Sequence, residues 1–474
     1  MNKKQFISFV CFCTLALSLI FATGQLFRDK VTSMAGFYSQ PDNTIDAIIV
    51  GSSHVNSGYI PAVLWEEYGI SAHNVYSWSQ PIWIGYHYIE EAFKTQDIKL
   101  VVVDLYGMMY GNSHEQPQEI DKVSYRNSFS IDVGLNRWKM MQTVENCGID
   151  LQEANDFINI VRYHTAWKNI DSEMFTYDNH NDPDLFRGYG YQTEVNAITP
   201  PTVPENVQPR MPYDTAVKYL DKISAIAEKR NVDMVFVITP YQFQPEEREL
   251  FAWLENYAQE KEIPLINYAQ NYDSIGFDHS VDMADMSHLN YKGALKTTRN
   301  LGEFIVKNYP HLVNRQHPYA QQLDADAQKV YRVLQINETV DLNYNNYFDF
   351  IANDKDMVLF TAIAGDAKYT ENFAVACEKL GITLDPDGFM GRRDEQWEQF
   401  EESFTMGDIV VTADKSSAGI KVKNKDYHGA DAKIKFAIYD KILERTTFYF
   451  YYDISTDSIV IKDYPSRING GIYD

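Results

Sequence analysis

Short apolar runs alternate with amphipathic helical patterns along this chain up to about Pro310. Asp46-Ala47-Ile48-Ile49-Val50-Gly51, Leu100-Val101-Val102-Val103-Asp104-Leu105, Met234 to Pro240 and the weaker Pro264 to Tyr268 have the length and continuous apolar character of strands buried on both faces. Helical spacing covers Trp83–Thr95, Ala216–Arg230, Pro245–Lys261 and Lys292–Tyr309. Strand then helix, repeated, predicts an α/β fold with a parallel sheet covered on both faces. Such a sheet offers its ligand site beyond the carboxyl ends of its strands, so the residues just after each strand are the ones to inspect.

The chain has 474 residues, and single cores stop growing at roughly 250–300, which predicts two domains. The first is placed at 31–310. Within it the stretch from about 112 to 212, rich in Asn, Asp, Tyr and Pro, is too long for an ordinary connection. It reads as a cap-like insertion beside the site, with helices around Gly134–Thr143 and Glu153–Ile170. A linker at 311–329, opening with His311 to Gln322, precedes a smaller α+β domain at 330–474. There the pattern predicts strands at Asp356–Ile363, Asp408–Ala413, Lys433–Asp440 and Thr446–Ile454, and a helix Thr370–Leu380 closed by Gly381.

Lys3 and Lys4 precede an apolar run from Phe6 to Ala22 broken only by Ser8, Thr14 and Ser18. This targeting segment, assigned to residues 1–30, fits either an uncleaved signal anchor or a cleaved signal peptide. Ala22-Thr23-Gly24 is a poor cleavage site, which favours a single-pass anchor. Basic residues ahead of the run put the rest of the chain outside the cytoplasm, or secrete it if the segment is cleaved. The net charge of −24 argues against nucleic acid as a partner, because phosphate backbones are held by clustered Lys and Arg. Cys11 and Cys13 lie in the apolar run, and a Cys147–Cys377 bridge would have to join the two domains, so free thiols are expected.

The first predicted strand ends in Gly51-Ser52-Ser53-His54. A serine there has its hydroxyl at the open end of the sheet, near backbone N–H groups that can stabilise an oxyanion. A helix-capping turn is the plain alternative for such a motif. The partner signal is Asp285-Met286-Ser287-His288-Leu289-Asn290, just before the last helix of the domain. An Asp three residues before a His can hold one imidazole nitrogen and leave the other to take a serine proton. His54, directly after the serine, reads as a packing residue. Tyr163, His164 and Trp167 read as helix packing in the cap or as a substrate-facing aromatic surface. Trp78, Trp83, Tyr106 and Tyr110 gather near strand ends, where aromatic faces suit sugar rings, although among 33 tyrosines some clustering is accidental. His73, His87, His114 and His164 are scattered without the spacing of a metal site, and no phosphate loop or dinucleotide fingerprint is present, so no metal and no cofactor is expected.

Gly51-Ser52-Ser53 after the first strand and Asp285-x-x-His288 before the last helix resemble the first and last blocks of the SGNH (GDSL-type) hydrolase superfamily. Within it the chain is similar to the extracytoplasmic members that modify bacterial surface polymers, such as the alginate O-acetylation proteins and the D-alanine transfer protein of teichoic acid. The resemblance covers about Asp46 to Pro310. It implies a flavodoxin-like three-layer domain, with Ser53 as nucleophile, His288 as general base and Asp285 orienting it. Ser79 and Gln80, in Asn74-Val75-Tyr76-Ser77-Trp78-Ser79-Gln80-Pro81, stand where the second block supplies an oxyanion-hole N–H from a glycine that Ser79 replaces. The third block's Gly-x-Asn-Asp has no counterpart in Asp104-Leu105-Tyr106-Gly107, which leaves Asn127 or Asn112 to reach in from the next loop. Tyr344-Asn345-Asn346-Tyr347-Phe348-Asp349, Met357–Ile363, Leu380-Gly381 and Lys435–Asp440 resemble the interleukin-like EMT inducer type of domain, an accessory binding module.

Two functions follow as expectations. The first is an extracytoplasmic serine acyl-esterase or acyltransferase that acts on O-acyl groups, acetyl first among them, of a cell-surface polysaccharide through acyl-Ser53. By analogy a multi-pass membrane acyltransferase would be its partner. The second is a non-catalytic, membrane-tethered glycan-binding or assembly protein that keeps the fold. A lipase acting on long chains is disfavoured by the lack of a long apolar lid segment.

Overall fold

A computed structural model describes residues 2–26, 34–111, 130–146, 168, 185–202, 207–340, 344–382, 388–394, 397–400, 403–407, 409–422, 426 and 431–463. The chain forms two units, Met1–Ala327 and Gln328–Asp474.

The first unit holds strands β1 (Ala47–Gly51), β2 (Ala72–Tyr76), β3 (Leu100–Asp104), β4 (Asp233–Ile238) and β5 (Leu265–Asn267). They form one sheet in the order β2-β1-β3-β4-β5, and every neighbouring pair is parallel. Its helices are α1 (Lys3–Leu26), α2 (Ala35–Tyr38), α3 (Ser53–Gly58), α4 (Pro61–Tyr68), α5 (Ile82–Ala92), α6 (Leu135–Asn146), α7 (Asp214–Arg230), α8 (Glu247–Glu260) and α9 (Tyr291–Asn308). The period of two in each strand decides which helices each face receives. Ile48, Val50, Val101, Val103 and Phe236 pack with α5, α6, α7 and α8, through Trp83, Met140, Leu220 and Leu254 among others. Ala47, Ile49, Val102 and Val235 face Val55 of α3, Leu64 of α4 and Leu301 of α9. Each Val, Ile, Leu, Met or Phe among them, fully buried, contributes about 1.5–3 kcal/mol. The sheet is therefore covered on both faces, and its strands end together at Gly51, Tyr76 and Asp104.

Helix α1 is long and apolar enough to cross a membrane. At 1.5 Å per residue its 24 residues span about 36 Å, against a hydrocarbon core of about 30 Å.

Several elements differ from the sequence reading. β2 has no apolar run, because His73 and Asn74 occupy its middle. Asn74 is held in place by donating to the carbonyls of Val55 (3.1 Å) and Tyr59 (2.7 Å), partners that local pattern does not reveal. The segment read as a linker at 311–329 is structured: Leu312 joins the core, and Trp65 Nε1 donates to Asp324 at 2.7 Å. Helix α10 (Ala320–Val340) begins inside it. Helix α6, expected in a cap, packs on α5 as scaffold, with His87 Nε2 2.8 Å from Thr143 Oγ1. The expected helix around Glu153–Ile170 and Cys147 lie outside the described residues. Cys377 is a buried free thiol, which burial pushes up to about 12.

The second unit contains α11 (Tyr344–Asn353), β6 (Met357–Ala364), α12 (Glu371–Lys379), β7 (Gly388–Arg393), β8 (Trp397–Phe400), β9 (Phe404–Met406), β10 (Ile409–Ala413), β11 (Ala418–Val422), β12 (Ile434–Asp440), β13 (Arg445–Asp453) and β14 (Ser458–Asp463). Two antiparallel sheets form, β14-β13-β12-β6-β7-β8 and β11-β10-β9. Val358, Phe360 and Ala437 pack on Val411 and Ile420 of the smaller sheet. Phe436 and Phe450, stacked at 4.7 Å, face Phe348 of α11 and Phe373 of α12. Buried Arg332 joins Asp440 and Asp354, each at 2.6 Å.

Candidate active site

β1 delivers Gly51 into a tight place: a Cβ there would lie 2.6 Å from Val55 Cγ2 and 2.8 Å from Asp104 Cβ. Ser52, in extended conformation (φ −87°, ψ −159°), caps α3 by accepting from the N–H of His54 at 3.3 Å. The capping alternative thus holds for Ser52, and it leaves Ser53, the first helical residue, with its hydroxyl free for another partner.

That partner is His288. Its Nε2 lies 2.8 Å from Ser53 Oγ, and its Nδ1 lies 2.8 and 3.0 Å from the two carboxylate oxygens of Asp285. The carboxylate can only accept while ionised, so Nδ1 carries the ring proton and Nε2 faces the hydroxyl as a base. The turn that holds this pair is built from its own polar groups. Asp285 Oδ1 also accepts from the N–H groups of Ser287 (2.7 Å) and His288 (2.9 Å). The N–H of Ala284 donates to the carbonyl of His288 at 2.8 Å, and Met283 pairs with Leu289. Asn290 then caps α9 by accepting from Lys292 and Gly293, while its amide donates to the carbonyls of Val281 (2.7 Å) and Glu194 (3.2 Å). Partial burial pushes the Asp285 carboxyl up, but its hydrogen bonds from His288 and Ser287 outweigh that and hold it below the usual carboxylate range.

His54 does not pair with Ser53. It is buried, stacked on Tyr106 at 3.9 Å, and meets His288 edge to face at 5.9 Å. Burial, aided by His288 and opposed by Asp285, lowers it to about 3, so it stays neutral. Asp104 is buried as well. It accepts from Thr239 Oγ1 (2.6 Å), Thr239 N (3.1 Å) and Tyr106 N (3.0 Å), tying the end of β3 to the end of β4. Burial raises its carboxyl, and the bonds from Thr239 and Tyr106 oppose the rise.

The turn after β2 stands beside the nucleophile turn, through the N–H of Ser77 on the carbonyl of Gly51 (3.3 Å). Ser79 sits there at φ +47°, in the left-handed region where glycine is at ease. Gln80 is buried, its Oε1 accepting from Ser77 Oγ at 2.9 Å. Gly107 lies so close that a Cβ on it would be 2.7 Å from the Gln80 carbonyl. Asn112 and Asn127 fall outside the described residues, as do His114, Tyr163, His164 and Trp167. Trp83 is a core residue of α5, enclosed in apolar packing rather than offered to a sugar. Tyr110 meets Tyr106 edge on at 6.0 Å, and Trp78 is exposed.

Three supports escaped the sequence reading. Thr239 clamps Asp104, Asn290 anchors the His288 turn, and the segment Phe186–Tyr191 straps α3 to β2. In the strap Asn56 donates to the Gly188 carbonyl (3.0 Å), and the N–H of Asn74 donates to that of Arg187 (2.9 Å). Only Asn290, a capping residue type ahead of a helical pattern, left a local signal. Among the described residues no three His, Cys, Asp or Glu side chains gather as a metal site would.

A hydroxyl bonded to an imidazole that is steadied by an ionised carboxylate can lose its proton as it attacks an electrophilic carbon. No protein-family model matches the chain, and no curated protein matches it.

Proposed function

We propose that the first unit is a serine-dependent acyl-ester enzyme of the α/β class. More narrowly, it is an SGNH-type extracytoplasmic esterase or acyltransferase acting on O-acyl groups, acetyl foremost, of a cell-surface polysaccharide. The observation that carries the reading is the continuous relay Ser53 Oγ, His288 Nε2, His288 Nδ1, Asp285, with both steps at 2.8 Å. The strand order β2-β1-β3-β4-β5 is also that of flavodoxin-like sheets, whose ligands sit at the carboxyl edge where Ser53 stands.

In this reading Ser53 Oγ attacks the ester carbonyl carbon while His288 Nε2 takes its proton. The tetrahedral oxyanion collapses, the C–O bond to the sugar breaks, and the leaving alkoxide takes the proton back from His288. Water, or a hydroxyl of the acceptor sugar, then repeats the sequence on acyl-Ser53. Backbone N–H groups at Ser53 and Ser79 are the oxyanion donors. Helix α1, with Lys3 and Lys4 as its first residues, anchors the chain with both units outside the cytoplasm. A multi-pass membrane acyltransferase supplies the acyl group in the transferase version, and the second unit serves as an accessory binding module.

The detergent-solubilised chain should turn over 4-nitrophenyl acetate, and Ser53→Ala and His288→Ala should each abolish it. Activity surviving equally in both variants would remove the assignment. The rival reading, a glycan-binding protein that keeps the fold, draws on one observation. Asp104, the last residue of β3, opens the block where the family has its asparagine, and its carboxylate is occupied by Thr239 and Tyr106. Without that asparagine, transition-state stabilisation falls by about 2–4 kcal/mol unless another group replaces it.

A further inference from the structure

The chain enters the first unit at the amino ends of its strands. After α1, Met34 and Phe37 join the core, and the Phe37 ring meets His73, the second residue of β2, at 5.3 Å. Asn43 N donates to the carbonyl of Thr95 at 2.9 Å, and Thr44 N and Ile45 N donate to Gln96 Oε1 at 2.9 and 3.1 Å, all between the end of α5 and the start of β3. Ser53 stands at the opposite edge, beyond the five residues of β1, which span about 17 Å at 3.3 Å per residue.

The start of α6 lies at that same amino edge. Tyr38 Oη donates to Glu91 Oε1 and accepts from the N–H of Asp132, each at 3.0 Å, and Asn136 Nδ2 donates to Glu91 Oε2 at 2.8 Å. α6 turns Arg137, Met140 and Val144 inward and leaves Leu135, Trp138, Lys139 and Gln142 outward. Leu135 is 66% exposed and Trp138 46%. Single exposed apolar residues are ordinary on any surface. Here a Leu, a Trp and a Lys share the first turns of one helix, the residue set that settles at a bilayer interface, with the indole at headgroup level and the ammonium toward phosphates. From Leu26, the end of α1, to Met34 the chain reaches at most about 29 Å at 3.6 Å per residue. The outward face of α6 is thus tethered beside whatever surface α1 crosses.

We propose that the outward face of α6, led by Leu135 and Trp138, docks on the lipid surface of the membrane that α1 crosses, and that this docking holds the Ser53 edge of the sheet away from the bilayer. The inference rests on the anchor within the proposed function and not on the serine chemistry. In this orientation the nucleophile meets esters carried on a polymer above the membrane rather than acyl chains lying in it.

The test places the full chain in lipid nanodiscs made with native or brominated phospholipids, since bromine quenches tryptophan only on close approach. Of the chain's 7 tryptophans, Trp138 reports the docked face, and Trp78, exposed on the turn after β2 beside Gly51, reports the opposite edge. Brominated lipid should dim the wild type, and this dimming should fall at least twofold in Trp138→Phe and be unchanged in Trp78→Phe. Leu135→Glu keeps the reporter and puts a carboxylate where the interface resists one, so its dimming should also fall at least twofold. Dimming that survives Trp138→Phe or Leu135→Glu in full, or that is lost in Trp78→Phe instead, overturns the proposal, whether the α6 face is then bare or covered by another protein. Alkaline extraction of membranes carrying the full chain reads the anchor separately. A chain released by it removes the anchor reading and the docking with it, whereas a retained chain without quenching at Trp138 removes the docking alone.

Discussion

Replacing Gly51 by alanine perturbs the nucleophile turn from beneath. The new methyl would sit 2.6 Å from Val55 Cγ2 and 2.8 Å from Asp104 Cβ, whereas packed carbons rest about 3.5–4.0 Å apart. It is therefore short of room by about 1 Å on both sides. Neither neighbour yields cheaply: Val55 is fully buried one turn into α3, and Asp104 is clamped by Thr239. Overpacking of this kind costs about 1–3 kcal/mol. The relief available is a shift of β1 or α3, and Ser53 is the first residue of α3. A displacement of about 1 Å at a reacting group costs roughly 100-fold in rate. Urea denaturation of Gly51→Ala should show a lower midpoint at unchanged slope, and its kcat/KM on 4-nitrophenyl acetate should drop about 100-fold. Wild-type values of both would refute the steric argument for glycine at this position.

Acid should unfold the first unit early. Burial chiefly holds His54 and His73 at about 3 and His87 at about 4, while the unfolded chain protonates histidines near 6.5. These depressed values leave stability intact above about pH 6.5 and remove it as pH falls from there toward 4, by up to about 1.4 kcal/mol per unit for each histidine. Unfolding free energy measured between pH 6 and 4.5 should fall with an uptake of at least about two protons, to which His279 and His317, also lowered by burial, add; an uptake below one would contradict the burial argument. Ser79→Gly should stabilise the chain by about 1 kcal/mol by relieving the left-handed serine, read as a higher urea midpoint. Arg332→Met should destabilise the second unit by about 3–5 kcal/mol, because Asp440 and Asp354 lose their partner inside it, and a calorimetric transition of that unit left in place would argue otherwise.

The strands that run as apolar stretches, β1, β3 and β4, and the mostly apolar β6 and β12, interrupted by Thr361 and Lys435, were legible because burial on two faces leaves a local signature. β2 was not: it is held by Asn74 reaching the carbonyls of Val55 in α3 and of Tyr59 just after it, and by a strap more than a hundred residues away, and neither leaves a periodic mark. The linker reading failed for a related reason, since the polar residues of 311–329 conceal four buried anchors, Leu312, His317, Leu323 and Ala327. Ser53, Asp285 and His288 could be singled out because each follows a strand or precedes a helix in a short motif. The supports that hold them, Thr239 and Asn290, act through single side chains on partners that only the fold brings near. Ser79 was noted as a replaced glycine, and its positive φ gives that remark a physical basis.

The relay at Ser53 is tested most directly by covalent capture with a fluorophosphonate, which modifies only a serine whose hydroxyl is activated. Intact-mass and peptide analysis of the full chain should find one adduct, on the peptide containing Ser53, formed far more slowly in His288→Ala and absent in Ser53→Ala. No adduct, or an adduct at another serine with Ser53 unmodified, would contradict the account.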